Sequence, residues 1–282
     1  MHSETRLLQN LPPDDDVSDE QVALAMRQLY DHYFSCHDYE KRYPKPNQAT
    51  FQYLMDQGAG NARRILDFGC GNGRYALALL HTTTAELTGY DISEAALTEF
   101  SNHLDNAQFN QRAKLLHGDA TVLTNHGRYD LILLLFGVLS HVGGREARIN
   151  VLCKLRSLIE PGGKLLLTVP SQWRRRPIEL FAAALTRWRG RAHGVQAEDG
   201  NILFKRRLGG IPHQFFYHLY TLQRLRDELM AAGFHMTLVE AESLLPEWLI
   251  TQHPWIGWLD ARISRVLPAS WGYGIRVVAV PQ

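Results

Sequence analysis

Between residues 62 and 170 the chain alternates short apolar runs with longer amphipathic segments. The runs at 62–68, 86–91, 113–117, 129–135 and 164–169 are bounded by Gly, Asp or polar residues, which predicts strands. The segments 73–81, 93–104 and 145–159 repeat their apolar residues at helical spacing and predict helices, with Ser93 placed to cap the second. The run at 129–135 is nearly all apolar, so it should be a central strand buried on both faces. Such β-α repetition predicts an α/β fold, a parallel doubly wound sheet with right-handed crossovers. Ligands of these sheets bind at the carboxyl ends of the strands.

The flanks follow other patterns. Residues 1–17 are polar, with Pro12-Pro13 and Asp14-Asp15-Asp16, and are expected to be mobile. Ser18 and Gln21 have capping-box spacing, and Val22, Met26, Leu29 and Tyr33 continue a helix that should stop before Pro44. Residues 47–57 predict a second helix, and Pro161-Gly162-Gly163 a helix stop and turn before the fifth strand. Thr221 and Gly233 bracket a helix at 221–232, and strands at 234–240 and 275–280 end the chain. The expected organisation is a tail and helical arm at 1–46, a core at 47–170, an inserted lid at 171–216, and a C-terminal part of the core at 217–282 that carries an insertion at 241–274.

Charge changes the picture only locally. The net charge of +1 gives no overall steering toward nucleic acid or membrane. Residues 172–216, however, hold nine Arg or Lys against three acids, so the rest of the chain is net negative. All six tryptophans lie after Pro170. The predicted lid side is therefore basic and aromatic. Three widely spaced cysteines, Cys36, Cys70 and Cys153, suit neither a disulfide framework nor a zinc knuckle and fit a reducing cytoplasm. No signal peptide is recognisable, and the longest apolar run falls far short of the ~20 residues of a membrane span.

The candidate chemistry starts at Asp67-Phe68-Gly69-Cys70-Gly71-Asn72-Gly73, where three alternate glycines join a strand to a helix. Glycine permits the turn and a close backbone approach, and the helix N-terminus offers free N–H groups to a ligand. The GxGxG spacing differs from the dinucleotide GxGxxG, since the sixth position is Arg74. Asp91 closes the second strand, His117-Gly118-Asp119-Ala120 the third, and Pro161-Gly162-Gly163 precedes the fifth. In that order and spacing, the chain resembles the class I S-adenosyl-L-methionine (SAM) dependent methyltransferases, best over residues 47–170.

The resemblance implies a Rossmann-like sheet of seven strands, the last antiparallel, and a methyltransferase that releases S-adenosyl-L-homocysteine. It implies that Gly69, Cys70, Gly71 and Gly73 shape a loop around the methionine and ribose, with Asp67 near the ammonium. It places Asp91 on the ribose diol, Ile92 against the adenine, Asp119 on the adenine amine with the Ala120 N–H nearby, and Phe136 along the cleft. Tyr43, at the end of the arm, would close over SAM. No metal is expected.

The acceptor side is open. His141, after the fourth strand, is a candidate base. In the stretch from His213 to Tyr220, Tyr217 and His218 are candidates to face the acceptor; a separation of five puts His213 and His218 on opposite faces of a strand, poor spacing for a metal. The basic lid suits a polar or anionic small molecule, a glycan or a lipid-linked acceptor, and the Trp-rich 241–274 segment suits peripheral contact at a membrane interface. Two alternatives stand beside this. Residues 136–149, with Arg145 and Arg148, and the arm around Arg42 and Tyr43 loosely resemble tRNA wobble-uridine methyltransferases. A non-catalytic SAM-binding protein is the third.

Overall fold

A strand that is apolar on both faces is stable only within a sheet covered on both sides. The computed structural model describes residues 17–282 and has that architecture. Its strands are β1 (Arg64–Phe68), β2 (Glu86–Asp91), β3 (Ala113–His117), β4 (Tyr129–Leu134), β5 (Ile159–Pro170), β6 (Asn201–Leu208), β7 (Ile211–His218), β8 (Phe234–Ser243) and β9 (Gly274–Pro281). Seven of them form one sheet in the order β3-β2-β1-β4-β5-β9-β8. β9 runs antiparallel to both of its neighbours, and the remaining ladders from β3 to β5 are parallel. The order reverses between β1 and β4, so the crevice above these two strands is where a ligand is expected.

The helices are α1 (Asp19–Ser35), α2 (Asp38–Arg42), α3 (Gln48–Leu54), α4 (Arg74–Thr82), α5 (Glu94–Ala107), α6 (Arg145–Ser157), α7 (Pro177–Trp188), α8 (Leu222–Ala231), α9 (Glu247–Gln252) and α10 (Pro254–Ser264). Successive residues of β4 feed opposite sides of the sheet. Ile132 and Leu134 pack with Leu152 of α6 and Leu225 of α8. Leu131 and Leu133 pack with Leu54 of α3 and Leu79 of α4. The predicted capping box is present at Ser18 and Gln21, and Ser93 and Thr221 cap α5 and α8 through their side chains.

Four local expectations change. The tail read as mobile falls outside the described residues except for Val17, which is buried and whose carbonyl accepts from Val195 N–H. The arm is two helices, because His37 takes a left-handed conformation (φ 55°) between α1 and α2. Pro161-Gly162-Gly163 lies inside β5 as an irregularity in its pairing with β4; Gly162 has φ +85°, and α6 ends at Ser157. Finally, the second half of the basic segment is a hairpin, β6–β7, that runs on to His218. Its apolar residues Phe204, Phe215 and Tyr217 pack with Met26, Leu29 and Tyr33 of α1, so arm and hairpin share a second apolar cluster.

Candidate functional site

The cleft above β1 and β4 encloses about 420 Å³. Its floor is the glycine loop. Gly69 N–H and Cys70 N–H both donate to Tyr90 O (2.7 and 3.0 Å), which folds the loop back over β2. A Cβ on Gly69 would lie 2.5 Å from Val138, and one on Gly73 2.2 Å from the Phe100 ring. Both have φ of +78°, so no other residue suits either position. Gly73 caps α4 and serves helix packing; it does not line the cleft.

Two carboxylates lie in that floor. Asp91 accepts from Gly71 N–H (2.8 Å) and Ser93 N–H (2.9 Å). Burial pushes its carboxyl up to about 6 against the pull of those bonds. Asp67 is pushed up to about 7, first by burial and then by the charge of Asp91. Near them, Arg74 reaches into the cleft from the first turn of α4. Its Nη1 bonds Glu247 (2.8 Å) and Lys45 O (3.0 Å), and its guanidinium lies 4.5 Å from the Phe136 ring centre. Its Nε and Nη2 are buried without a hydrogen-bond partner. The site thus pairs an anionic pocket with a cationic fork that has open donors, which matches a zwitterionic amino-acid group. Phe136 holds φ 58°, a costly conformation for a bulky residue, and Thr168 Oγ1 accepts its N–H at 2.7 Å.

At the far end of the cleft Asp119 is exposed. Its Oδ1 accepts from Thr121 N–H (2.8 Å) and from the Thr121 hydroxyl, which caps the short helix 120–125 and holds the carboxyl below its usual range.

Above the floor lies a chamber walled by α1, the hairpin and the start of α7. His141 is fixed at both nitrogens. Phe216 O can only accept, so Nδ1 carries the proton there (2.8 Å), and Nε2 accepts from the Tyr30 hydroxyl (2.9 Å). Burial holds this imidazole down to about 4, so it is neutral. Arg175 donates to Tyr217 Oη at 2.6 Å and lies 4.1 Å from the Tyr273 ring centre. Arg206 lies against Phe215, 5.3 Å from its ring centre. Neither arginine has a carboxylate within ion-pair distance among the described residues. Glu242, at the end of β8, also faces the chamber; burial, and next the charge of Glu247, raise it to about 7.

A family model described as a methyltransferase domain matches residues 65–163, which run from β1 into the irregular start of β5. Over that stretch, a little over a third of the chain, it is similar to the methyltransferase domain family. Among curated proteins, the ubiquinone biosynthesis O-methyltransferase of Coxiella burnetii (strain Dugway 5J108-111) is 31% identical over 123 residues, 43% of this chain and 50% of that protein. The tRNA U34 carboxymethyltransferase of Idiomarina loihiensis is 30% identical over 109 residues, 38% of this chain and 32% of that one. The chain spans about half the length, or less, of these relatives. A solved S-adenosylmethionine-dependent methyltransferase from Clostridium acetobutylicum ATCC 824 shares the fold, with a TM-score of 0.61 at 12% identity, covering 90% of this chain and 99% of that one.

In this chain Asp67, Gly69, Cys70, Gly71, Asp91, Ile92, Asp119, Ala120, Phe136 and Tyr43 all line the cleft, as do His141 and Tyr217. His218 does not. It is fully buried on the opposite face of β7, where Nδ1 meets Asn201 Oδ1 beside Glu198. Glu198 and Glu228 in turn bind the buried Arg148 guanidinium, so their oxygens serve an ion-pair network. Arg148, part of the likeness to tRNA enzymes, is therefore closed to any phosphate. His213 packs on the His32 ring, 4.9 Å between centres. Sequence reasoning missed Arg74 and Glu242. Arg74 occupies the sixth position of the glycine motif, a signal in plain view. Glu242 had none, since a single Glu at a strand end is ordinary.

Proposed function

We propose that this chain transfers a methyl group from SAM to an oxygen or nitrogen of a small anionic acceptor. The observation that carries the acceptor class is the pair Arg175 and Arg206, two guanidiniums held among aromatic rings in a chamber where neither has a carboxylate within ion-pair distance among the described residues. An acceptor phosphate or carboxylate would complete them. The aromatic walls suit an acceptor with a flat or apolar body.

On the cofactor side, Asp67 takes the ammonium and Arg74 Nε and Nη2 the carboxylate of the methionine part. Asp91 turns toward the ribose diol, Ile92 lies along the adenine, and Asp119 takes the adenine amine on the oxygen that Thr121 leaves open. When bound, SAM supplies a sulfonium that makes its methyl carbon electrophilic. The chain's own share is alignment, exclusion of water and removal of the acceptor's proton. Glu242, near 7, is matched to proton transfer at neutral pH. His141, near 4, is better suited to orient Tyr30, whose hydroxyl then bonds the acceptor or gives way to it.

Calorimetry with SAM and a mass-spectrometric transfer assay on a panel of anionic and neutral aromatic acceptors test this. We expect Arg206→Gln to raise KM for anionic acceptors about tenfold with SAM affinity unchanged. Neutral acceptors used as well as anionic ones by the parent, with no rise in anionic KM in Arg206→Gln, would overturn the acceptor class.

A second reading, methylation of tRNA, draws on the match to the U34 enzyme and on the basic 171–216 segment. It predicts retention of tRNA at low salt, lost steeply as salt rises. No retention would remove it.

A further inference from the structure

Among the described residues two helices carry exposed apolar faces, and neither lines the cleft. In α7 the inward side is Leu180 and Ala183, which pack on the arm-and-hairpin cluster. On the outward side Ile178, Phe181 and Trp188 stand 80%, 72% and 83% exposed. Their spacing of three and seven places them on one face. In α10 the inward side is Asp260 and Ser264, both buried. Its outward side carries Trp255, Trp258, Leu259 and Ile263, with Val266 just beyond, again on one face and all exposed. Patches of this kind mark contact surfaces.

The charges around these faces are of one sign. Arg174 precedes α7, Arg189 and Arg191 follow it, and Arg262 and Arg265 lie at the end of α10; all five are exposed. Arg262 lies 4.0 Å from the Trp258 ring centre. The acids of the two helices are withdrawn: Glu179 is paired with Arg176, and Asp260 is buried. Asp260 accepts from Leu244 N–H (2.9 Å) and Leu245 N–H (3.0 Å), while Arg174 donates to Leu244 O (3.2 Å). The same short loop therefore contacts both segments beside the chamber, whose lining includes Arg175, Arg176 and Trp248. No helix among the described residues is long and apolar enough to cross a membrane.

We propose that the outward faces of α7 and α10 dock the protein on a bilayer containing anionic lipid, with the chamber rim at the headgroup level. Exposed Trp and Phe among arginines suit that layer, where rings enter the acyl boundary and guanidiniums meet phosphates. This binding is independent of the proposed reaction and is measured without it.

The test is co-sedimentation of the full chain with vesicles of phosphatidylcholine alone and with phosphatidylglycerol added, together with quenching of tryptophan emission by brominated lipid. We expect binding to the anionic vesicles, loss of most of it at high salt, and quenching on binding. Phe181→Glu with Trp258→Glu should lower partitioning at least about tenfold. Calorimetric SAM affinity of the same double variant should match the parent, which shows that it is folded. No partitioning, or equal partitioning of the double variant, would overturn the proposal. So would a lipid-free, concentration-dependent dimer that the double variant abolishes, since the faces would then meet a second copy.

Discussion

Asp67 and Asp91 share one buried pocket, and their titration makes it pH-sensitive. Their folded pKa values, about 7 and about 6, lie above those of an unfolded chain. An acid raised on folding favours the folded state below its unfolded pKa, and that advantage is lost as pH rises through the folded value. The empty pocket should therefore destabilise the protein progressively between about pH 4 and 7. A cationic ligand reverses the sign at the site, because it prefers the ionised pair. SAM affinity is expected to climb between about pH 5.5 and 7.5 and then level off, with a smaller rise in Asp67→Asn, as calorimetry across that range would show. Glu242→Gln should lower kcat more than His141→Ala does and flatten the acid limb of the kcat profile. Stopped turnover in His141→Ala with normal Glu242→Gln would reverse those roles. The carboxylates that line the cleft floor were legible because motif spacing names them. Glu242 and the open donors of Arg74 were not, since their roles come from burial and from partners distant in the chain.

At the scale of elements, the β-α alternation of 62–170 was readable because strands buried on both faces leave nearly unbroken apolar runs. The hairpin β6–β7 was not read. Lys205-Arg206-Arg207 suggested a basic lid, while the alternation of Ile202, Phe204 and Leu208 and the Gly209-Gly210 turn went unused. Both of those glycines have positive φ, the demand of a two-residue hairpin turn. Between elements, the glycine loop is a tight joint. Gly73→Ala must carry a Cβ at φ +78° into the Phe100 ring. It should cost at least about 2 kcal/mol and lower the melting temperature by several degrees. Gly162→Ala, whose Cβ would meet nothing within 4 Å, isolates the backbone cost alone. Differential scanning calorimetry of the pair separates the two contributions.

At the scale of the molecule, Arg148 joins three elements that sequence reasoning kept apart. It bonds Gly143 O at 2.6 Å, Glu198 before the hairpin, and Glu228 of α8, which also accepts from Tyr220 Oη at 2.9 Å. Removing it leaves the buried Glu228 and the partly exposed Glu198 without a counter-charge. Arg148→Ala is expected to cost about 3–5 kcal/mol, read from urea unfolding midpoints. The arm is attached differently. Asp31 accepts from the Ser93 hydroxyl at 2.8 Å, Phe34 lies 3.1 Å from where a Gly71 Cβ would stand, and Tyr30 reaches His141. One helix therefore borders both the cofactor floor and the upper chamber, and it ends at the break at His37. Such a span gives the cycle an order in time. On the proposed reaction, spent cofactor would leave only when this helix loosens, and the same loosening would open the second chamber. Turnover would then be paced by that departure, slowing as solvent viscosity rises while a single enzyme-bound transfer does not.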